Sequence, residues 1–268
     1  MALTDKLTAI GNAIREKEGS TGLIPLNDMP ARIQALSSGG GDDPVRQSVL
    51  ALANGTSYVD YVIPAGATKI APFMFYGQEK LRSLVFEDET KIKSFGQEAF
   101  ENSSNLQMDR FPSGFNATDI PYGCFWYCSN IKLADGLPAG IKYIYNYAFA
   151  NCANLQFTTL PEGLTDIYDY AFQYAYSQYA STPPPTMLTF PASLKTISNR
   201  AFEEVGLKKI RFLGQPDDIN NNAFRNSSIT DIYVPWGSNL ANTMTSKAPW
   251  GATGAQIHYN VSPDEVIA

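Results

Sequence analysis

The sequence predicts an α+β repeat solenoid, in which short parallel strands stack in successive rungs behind a small helical N-terminal module. Two periodic signals carry this prediction. A phenylalanine that follows Ala, Met or Cys recurs seven times at intervals of 22 to 30 residues, at Phe75, Phe100, Phe125, Phe149, Phe172, Phe202 and Phe224. A second large apolar residue stands five positions earlier each time, at Ile70, Phe95, Ile120, Ile144, Ile167, Ile197 and Ile219. One repeat cannot bury these residues alone, whereas stacked repeats share a continuous core.

The rest of each repeat reads as a strand and a turn. Leu or Ile follows most of the repeat phenylalanines by five or six positions and opens alternating runs such as LRSLVF, LKKIRF and ITDIYV. Alternation with a period of two favours strands. A turn containing Pro or Gly comes next, as in IPAGA and LPEGL. The predicted rung is therefore strand, Pro/Gly turn, apolar anchor and phenylalanine turn, and about seven rungs occupy residues 62–234.

The N-terminal segment has helical rather than strand periodicity. Apolar residues fall on one stripe of a helix at Leu3, Leu7, Ile10 and Ile14, and on one face of a second helix at Met29, Ile33 and Leu36. We expect residues 1–36 to form an attachment or oligomerisation module; the alternative is a leader that orders only within a larger particle. Residues 37–43, SSGGGDD, form the predicted linker.

The two ends of the stack need caps, because a terminal rung exposes unpaired backbone and apolar side chains. The predicted caps are residues 44–62 and 235–268. A short helix that begins at Ser238 and a final strand within AQIHY are expected in the second cap.

Composition excludes several classes of function. The net charge is −6 and no basic run exceeds Lys208 and Lys209, so no nucleic acid or anionic membrane is expected as a partner. No apolar stretch is long enough for membrane insertion, and the first residues lack the pattern of a classical signal peptide. We therefore expect synthesis in a cytoplasm. His258 is the single histidine, which disfavours Ser/His/Asp and Cys/His catalysis, so the chain is expected not to be an enzyme and to need no cofactor.

Three other groups of polar residues have simple structural interpretations. Cys124 occupies the small slot before a repeat phenylalanine, whereas Cys128 and Cys152 each follow one by three positions, so buried packing roles are expected. Glu87, Asp88 and Glu89 form an acidic loop at which no metal is expected, and His258 is expected to be structural or exposed.

Tyrosines are the candidate binding residues. Tyr145 and Tyr147 in one rung occupy the same slots as Tyr168 and Tyr170 in the next, which predicts two tyrosine ladders. The single long interval inserts Tyr174, Tyr176 and Tyr179 with three prolines. One interpretation is a ligand-contacting patch over residues 143–185, which binds a cell-wall saccharide or a surface protein. The other is tyrosine pairing that only stabilises the sheet.

The pattern LxxIxF-P-xxL-xxI-xxxAF-xx(C/N/S) resembles the BspA-like leucine-rich repeat of bacterial surface adhesins and many phage-encoded proteins, over residues 62–234. The runs LTAIGNAIREKEGSTGLIPLNDMPARIQAL and APWGATGAQIHYN are similar to segments of tail-associated proteins from phages and prophages of Gram-positive hosts.

This resemblance implies a non-enzymatic virion protein of the phage tail or baseplate that binds a receptor on the host. Its implied partners are other tail proteins, through the N-terminal module, and a host-surface glycan or protein. A homo-oligomer is expected, with a trimer as the first guess. The alternatives are a bacterial cell-surface adhesin and a purely structural virion decoration protein.

Overall fold

The computed structural model describes residues 57–238 and 247–265. The predicted helical module over residues 1–36, the linker at 37–43, most of the cap over 44–62 and the helix expected after Ser238 lie outside the described residues. The attachment stripe from Leu3 to Leu36 is therefore a prediction that the structure does not address.

The described residues form a parallel β-solenoid of about eight turns. Within them the only helix is the short 3₁₀ segment Glu89–Lys91, so the solenoid itself is β rather than α+β. The strands are β1 Val59–Ile63, β2 Lys69–Ile70, β3 Leu81–Phe86, β4 Ser94–Phe95, β5 Asp119–Ile120, β6 Tyr143–Ile144, β7 Asp166–Ile167, β8 Met187–Phe190, β9 Thr196–Ile197, β10 Lys209–Phe212, β11 Asp218–Ile219, β12 Asp231–Tyr233 and β13 Gln256–His258.

The predicted strands form one ladder, which we call the long-strand ladder. β1 pairs with β3, and β8, β10, β12 and β13 form a four-stranded sheet. The runs LRSLVF, LKKIRF and ITDIYV contain β3, β10 and β12, and the expected final strand is β13, so these predictions are confirmed. Between β3 and β8 the rungs that begin at Leu106, Ile131 and Leu155 carry no strand. Backbone hydrogen bonds still join these rungs; for example, the Gln156 amide donates to Lys132 O at 2.8 Å.

The apolar anchors form a second ladder that periodicity alone did not predict. The two-residue strands β5, β6, β7, β9 and β11 make one parallel sheet, and β2 pairs with β4. Within each of these two sheets an anchor faces the anchor of the next rung, for example Ile120 opposite Ile144 and Ile144 opposite Ile167. These side chains are buried, so this ladder closes the core opposite the long strands.

The repeat phenylalanines stack into one column through the core. All seven are fully buried. Successive ring centroids lie 5.6, 5.2, 5.5, 5.2, 4.8 and 5.4 Å apart from Phe75 to Phe224, with interplanar angles of at most 24°. The continuous core that the repeat predicted is thus a ladder of parallel rings.

Main-chain hydrogen bonds explain the small residue before each phenylalanine. The amide of Phe100 donates to Cys124 O at 2.9 Å, and that of Phe125 donates to Ala148 O at 2.9 Å. The small side chains at these positions are fully buried, so they let adjacent turns approach closely. The cysteines confirm their predicted packing role. Cys128 Sγ donates to Phe100 O at 2.9 Å and Cys152 Sγ donates to Phe125 O at 3.0 Å, and burial raises the pKa of both thiols.

Candidate ligand-binding surface

The two tyrosine ladders form as the sequence predicts. The rings of Tyr145 and Tyr168 stack with centroids 5.0 Å apart, and those of Tyr147 and Tyr170 stack at 5.1 Å with an interplanar angle of 1°. Both ladders lie on the surface built by residues from four before to two after each repeat phenylalanine, which we call the turn face. Tyr145 is 37% exposed, and Tyr147, Tyr168 and Tyr170 are partly exposed.

Four tyrosines of the turn face have a left-handed backbone. The φ angle is 60° at Tyr127, 59° at Tyr147, 59° at Tyr170 and 58° at Tyr174. They occupy the slots two before or two after the repeat phenylalanine. In other rungs some of these slots hold Gly77, Asn102, Gly123, Asn151 and Asn226, and others hold Phe73, Glu98, Arg200 and Glu204 with φ between 50° and 60°. A left-handed conformation costs an ordinary side chain roughly 1–2 kcal/mol, so turn geometry alone does not favour tyrosine here.

The aromatic neighbours of the ladders were not predicted from the sequence. The Trp126 ring stacks on Tyr147 at 4.6 Å, and the guanidinium of Arg200 lies 5.8 Å from the Tyr170 ring centroid. Each end of this ladder is therefore covered by another side chain. The signal for Trp126 was its position directly after a repeat phenylalanine in the rung before the ladders.

Tyr176 corrects the predicted patch, because its side chain is fully buried and cannot contact a surface ligand. Its hydroxyl donates to Phe157 O at 3.3 Å, and its ring packs edge-on against Phe157 at 5.5 Å. Burial raises the pKa of this hydroxyl well above its usual value. The insertion thus uses Tyr176 as an anchor in the core.

The rest of the insertion lies toward the long-strand side of the previous rung. Ser181 Oγ donates to Asn154 Oδ1 at 2.8 Å, and Gln156 Nε2 donates to Pro183 O at 3.2 Å. Tyr179, in the same segment, is 87% exposed, whereas Tyr174 is 41% exposed and belongs to the turn face. The predicted patch over 143–185 therefore divides into the turn face and a separate insertion surface.

A pair of carboxyl groups adjoins the ladders. A Cβ atom placed on Gly123, whose φ is +57°, would lie 3.0 Å from Glu98 Cγ and 3.7 Å from Glu101 Oε2. Both acidic side chains therefore lie against Gly123, in a turn that also contains Tyr122 and Trp126. Glu101 is only 7% exposed. Burial of the Glu101 carboxyl group has the largest effect on its pKa, and the neighbouring Glu98 has the next largest. Together they raise the pKa of Glu101 to about 8.

The raised pKa of Glu101 predicts a pH-dependent stability. The folded state keeps a proton that the unfolded chain releases near pH 4.5, so the free energy of unfolding falls as the pH rises from about 5 to 8. We expect Glu101→Gln to flatten this dependence between pH 5 and 9, because glutamine stays neutral. Urea denaturation across that range measures the effect. An unchanged slope in the variant would show that another group titrates.

Glu203 and His258 both have charged partners. Glu203 accepts from Gln173 Nε2 at 2.6 Å and lies 3.8 and 3.7 Å from the Arg200 and Arg225 guanidinium groups. His258 Nε2 lies 2.9 Å from Asp231 Oδ1, and its ring stacks on Tyr233 at 4.5 Å.

The three side chains of the acidic loop also make hydrogen bonds or ion pairs. Glu87 accepts from the Ala65 amide at 2.8 Å, Asp88 caps the 3₁₀ segment, and Glu89 pairs with Arg110 at 2.9 Å. Across residues 57–238 and 247–265, no three His, Cys, Asp or Glu side chains are grouped so that they could hold a metal ion. The same residues include no helix with the length and apolarity to cross a membrane.

Comparison with known protein families identifies the family of this repeat. The model of the BspA type leucine-rich repeat region matches residues 51–178 and 176–245 of the chain, with six copies. The chain belongs to the BspA-type leucine-rich repeat family. No match was found among curated proteins. The repeat assigned from the phenylalanine and anchor spacing is thus the repeat of this family.

Two solved structures of leucine-rich repeat proteins are similar to the chain. One is a leucine-rich cell surface protein from Faecalibacterium prausnitzii, with 14% identity and a TM-score of 0.40, covering 80% of this chain and 84% of that one. The other is a leucine-rich repeat protein from Bacteroides ovatus, with 20% identity and a TM-score of 0.38. That match covers 62% of this chain, which spans about a third (35%) of the Bacteroides protein.

Proposed function

We propose that this BspA-type protein is a non-enzymatic adhesion module that binds a surface glycan or protein through its turn face. The observation that supports the proposal is the grouping of exposed tyrosines on this face, where Tyr127 is 46%, Tyr145 37% and Tyr174 41% exposed beside the stacked ladders. Tyrosine offers a large amphipathic contact area at a small cost in side-chain entropy, which suits recognition.

A purely stabilising role explains the tyrosines less well. Stacked aromatic pairs contribute about 0.5–1.5 kcal/mol, which the cost of the left-handed backbone offsets. At the slot of Tyr127 and Tyr174, Asn102 and Asn151 make the same turn without an aromatic ring, and Gly123 does so at the slot of Tyr147 and Tyr170. The tyrosines therefore add exposed surface rather than net stability.

We further propose that a phage tail or baseplate carries this module, with residues 1–36 as its attachment to other tail proteins and to further copies of the chain. The proposal draws on the resemblance of the two terminal runs to tail-associated proteins. A bacterial cell surface is the second candidate carrier, because the BspA-like repeat also occurs in bacterial adhesins. Mass spectrometry of purified particles and of bacterial envelopes separates the two; a protein absent from particles contradicts the phage assignment.

Adhesion is tested by changing three tyrosines to asparagine. We expect Tyr147→Asn, Tyr170→Asn and Tyr174→Asn together to reduce adsorption to host cells at least tenfold, with little change in the melting temperature. Asparagine tolerates the left-handed backbone and so offsets the lost stacking. The measurement is binding of full-length labelled protein to cells.

Tyr233→Asn is the matched control, because Tyr233 is also partly exposed and stacked but lies on β12 of the long-strand ladder. We expect this control to adsorb normally. If the triple variant folds and adsorbs as the unmodified protein does, the turn face is not the adhesive surface.

A further inference from the structure

We propose that a groove along the edge of the turn face binds a neutral saccharide of the surface ligand. The groove, which we call the side groove, crosses three rungs and has a volume of about 380 Å³. Two rows of residues line it, from the slots two and four positions after the repeat phenylalanine: Gly77, Asn102 and Tyr127 in the first row, and Glu79, Ser104 and Ser129 in the second. This site deepens the proposed adhesive function and rests on it for its biological setting.

Hydrogen bonds to the next rung hold both rows of the groove in place. The three amides of the first row donate to carbonyl groups of the next rung at 2.6 to 2.9 Å. The three carbonyl groups of the second row each accept from a side-chain amide of the next rung: Glu79 O from Asn105 at 2.8 Å, Ser104 O from Asn130 at 3.0 Å and Ser129 O from Asn154 at 2.7 Å. A site whose backbone is fixed before the ligand arrives loses less entropy on binding.

Tyr127 supplies the apolar contact of the groove. Its ring is 46% exposed, and among the described residues its one ring contact is with Trp126 of the same turn, at 5.7 Å. Asn102 and Asn151 hold its slot in the two neighbouring rungs, so the aromatic stacking of the ladders does not continue here. Tyr76 also lines the groove and adds a second ring. A pyranose ring has an apolar C–H face that such an exposed aromatic ring can cover.

The polar side chains of the groove suit the hydroxyl groups at the edge of a sugar. Asn102 Nδ2 gives one hydrogen to Glu101 at 3.3 Å, which leaves its Oδ1 and a second hydrogen for a ligand. Ser104 and Ser129 add hydroxyl groups, and Glu79 adds an exposed acceptor. Of the described residues that line the groove, one is a carboxylate and none is basic, which favours a neutral sugar over an anionic one.

The size and the backbone of the groove favour a short saccharide over a peptide. Sites for small ligands have volumes of about 300–1,000 Å³, and three rungs at the roughly 4.8 Å spacing of paired strands span about 10 Å. An extended peptide binds by pairing with free backbone groups. The amides of the first row and the carbonyl groups of the second are already hydrogen-bonded within the solenoid, so the groove offers a ligand mainly side chains.

The experiment titrates the full chain with the methyl glycosides of glucose, galactose, mannose, N-acetylglucosamine and N-acetylgalactosamine in ligand-observed NMR. We expect at least one of these neutral sugars to bind with a Kd on the order of 1 mM, because a single ring buries few atoms. The glycoside of the corresponding uronic acid differs by a carboxylate. It should bind at least about tenfold more weakly, because Glu79 repels it and no basic side chain of the groove compensates.

Tyr127→Asn should weaken sugar binding at least about tenfold, and asparagine keeps the left-handed turn, as it does at Asn102 and Asn151. Tyr127→Phe keeps the ring and should retain most of the binding. Ser104→Leu places a larger side chain in the groove and should also block the sugar. Tyr233→Asn is the matched control, because Tyr233 lies on β12, outside the groove. Thermal melting identifies any variant that fails to fold.

No binding of any of the neutral glycosides, equal binding of the uronic acid, or undiminished binding by folded Tyr127→Asn or Ser104→Leu overturns the proposal. Loss of cell adsorption in Tyr127→Asn without any sugar binding would indicate a protein ligand in the groove, and it overturns the saccharide as well. The adhesion proposal is tested separately by the adsorption of cells. Adsorption without sugar binding contradicts the saccharide site alone, and sugar binding without adsorption contradicts adhesion alone.

Discussion

Phe149→Ala is expected to lower the free energy of unfolding by about 3–5 kcal/mol, the range for removing a phenylalanine from a packed core. The Phe149 ring is fully buried and stacks on Phe125 at 5.5 Å and on Phe172 at 5.2 Å. Its removal opens a cavity in the middle of the phenylalanine ladder. The rungs on either side are held by their own hydrogen bonds, so the cavity cannot collapse fully. Urea denaturation followed by circular dichroism measures the loss.

Tyr179→Ala is the control for this substitution, because it removes a ring that is 87% exposed and should change stability by less than about 0.5 kcal/mol. In a repeat protein each rung depends on its two neighbours, so a central gap also weakens coupling between the two halves of the stack. We therefore expect a broader transition for Phe149→Ala. A loss below about 1 kcal/mol would mean that the ladder contributes little to the core.

Features that repeat with a constant period could be predicted from the sequence. Stacked rungs place equivalent slots above one another, so the spacing alone predicted that Phe149 lies over Phe125 and that Tyr147 lies over Tyr170. The buried thiols of Cys128 and Cys152 followed from the same reasoning. These predictions need only the length of the rung and the fact that neighbouring copies share an environment.

Features that depend on contacts between different slots could not be predicted in this way. Trp126 follows its repeat phenylalanine, whereas Tyr147 precedes the next one, so their stacking joins two slots that the periodic alignment keeps apart. Glu98 and Glu101 of one rung both lie against Gly123 of the next, where the absence of a side chain leaves room for them. These contacts are therefore properties of the folded turns rather than of the repeat.

The placement of the insertion could not be predicted from the sequence, for a related reason. Its 30-residue interval breaks the correspondence of slots, so the direction of Tyr176 was undefined in sequence. The amide of Tyr176 donates to Cys152 O at 3.3 Å, and its ring fills part of the core beside Phe157. An aromatic residue that looked like part of a binding loop is instead what fixes that loop to the solenoid.

Gly206→Ala is the second substitution with a large expected effect, because Gly206 is where the insertion meets the next rung. An added Cβ would lie 2.1 Å from Tyr176 O and 2.6 Å from Gln178 N, and both of these are backbone atoms. No side-chain rotation relieves such overlap, so the insertion has to move and take the buried Tyr176 ring with it. Overpacking of this kind costs about 1–3 kcal/mol, and the displaced ring adds to it.

Gly66→Ala is the matched control, since an added Cβ there has no neighbour within 4 Å. Loss of a flexible glycine from the unfolded chain should leave that variant equally stable or up to about 1 kcal/mol more stable. Thermal and urea denaturation of the two variants side by side measure the difference. The separation between them tests whether the insertion is part of the folded core, because a loop attached only at its ends would yield to the Gly206 methyl group at no cost. Equal stability of the two variants would therefore remove Tyr176 as the anchor and return the whole insertion to the exposed surface.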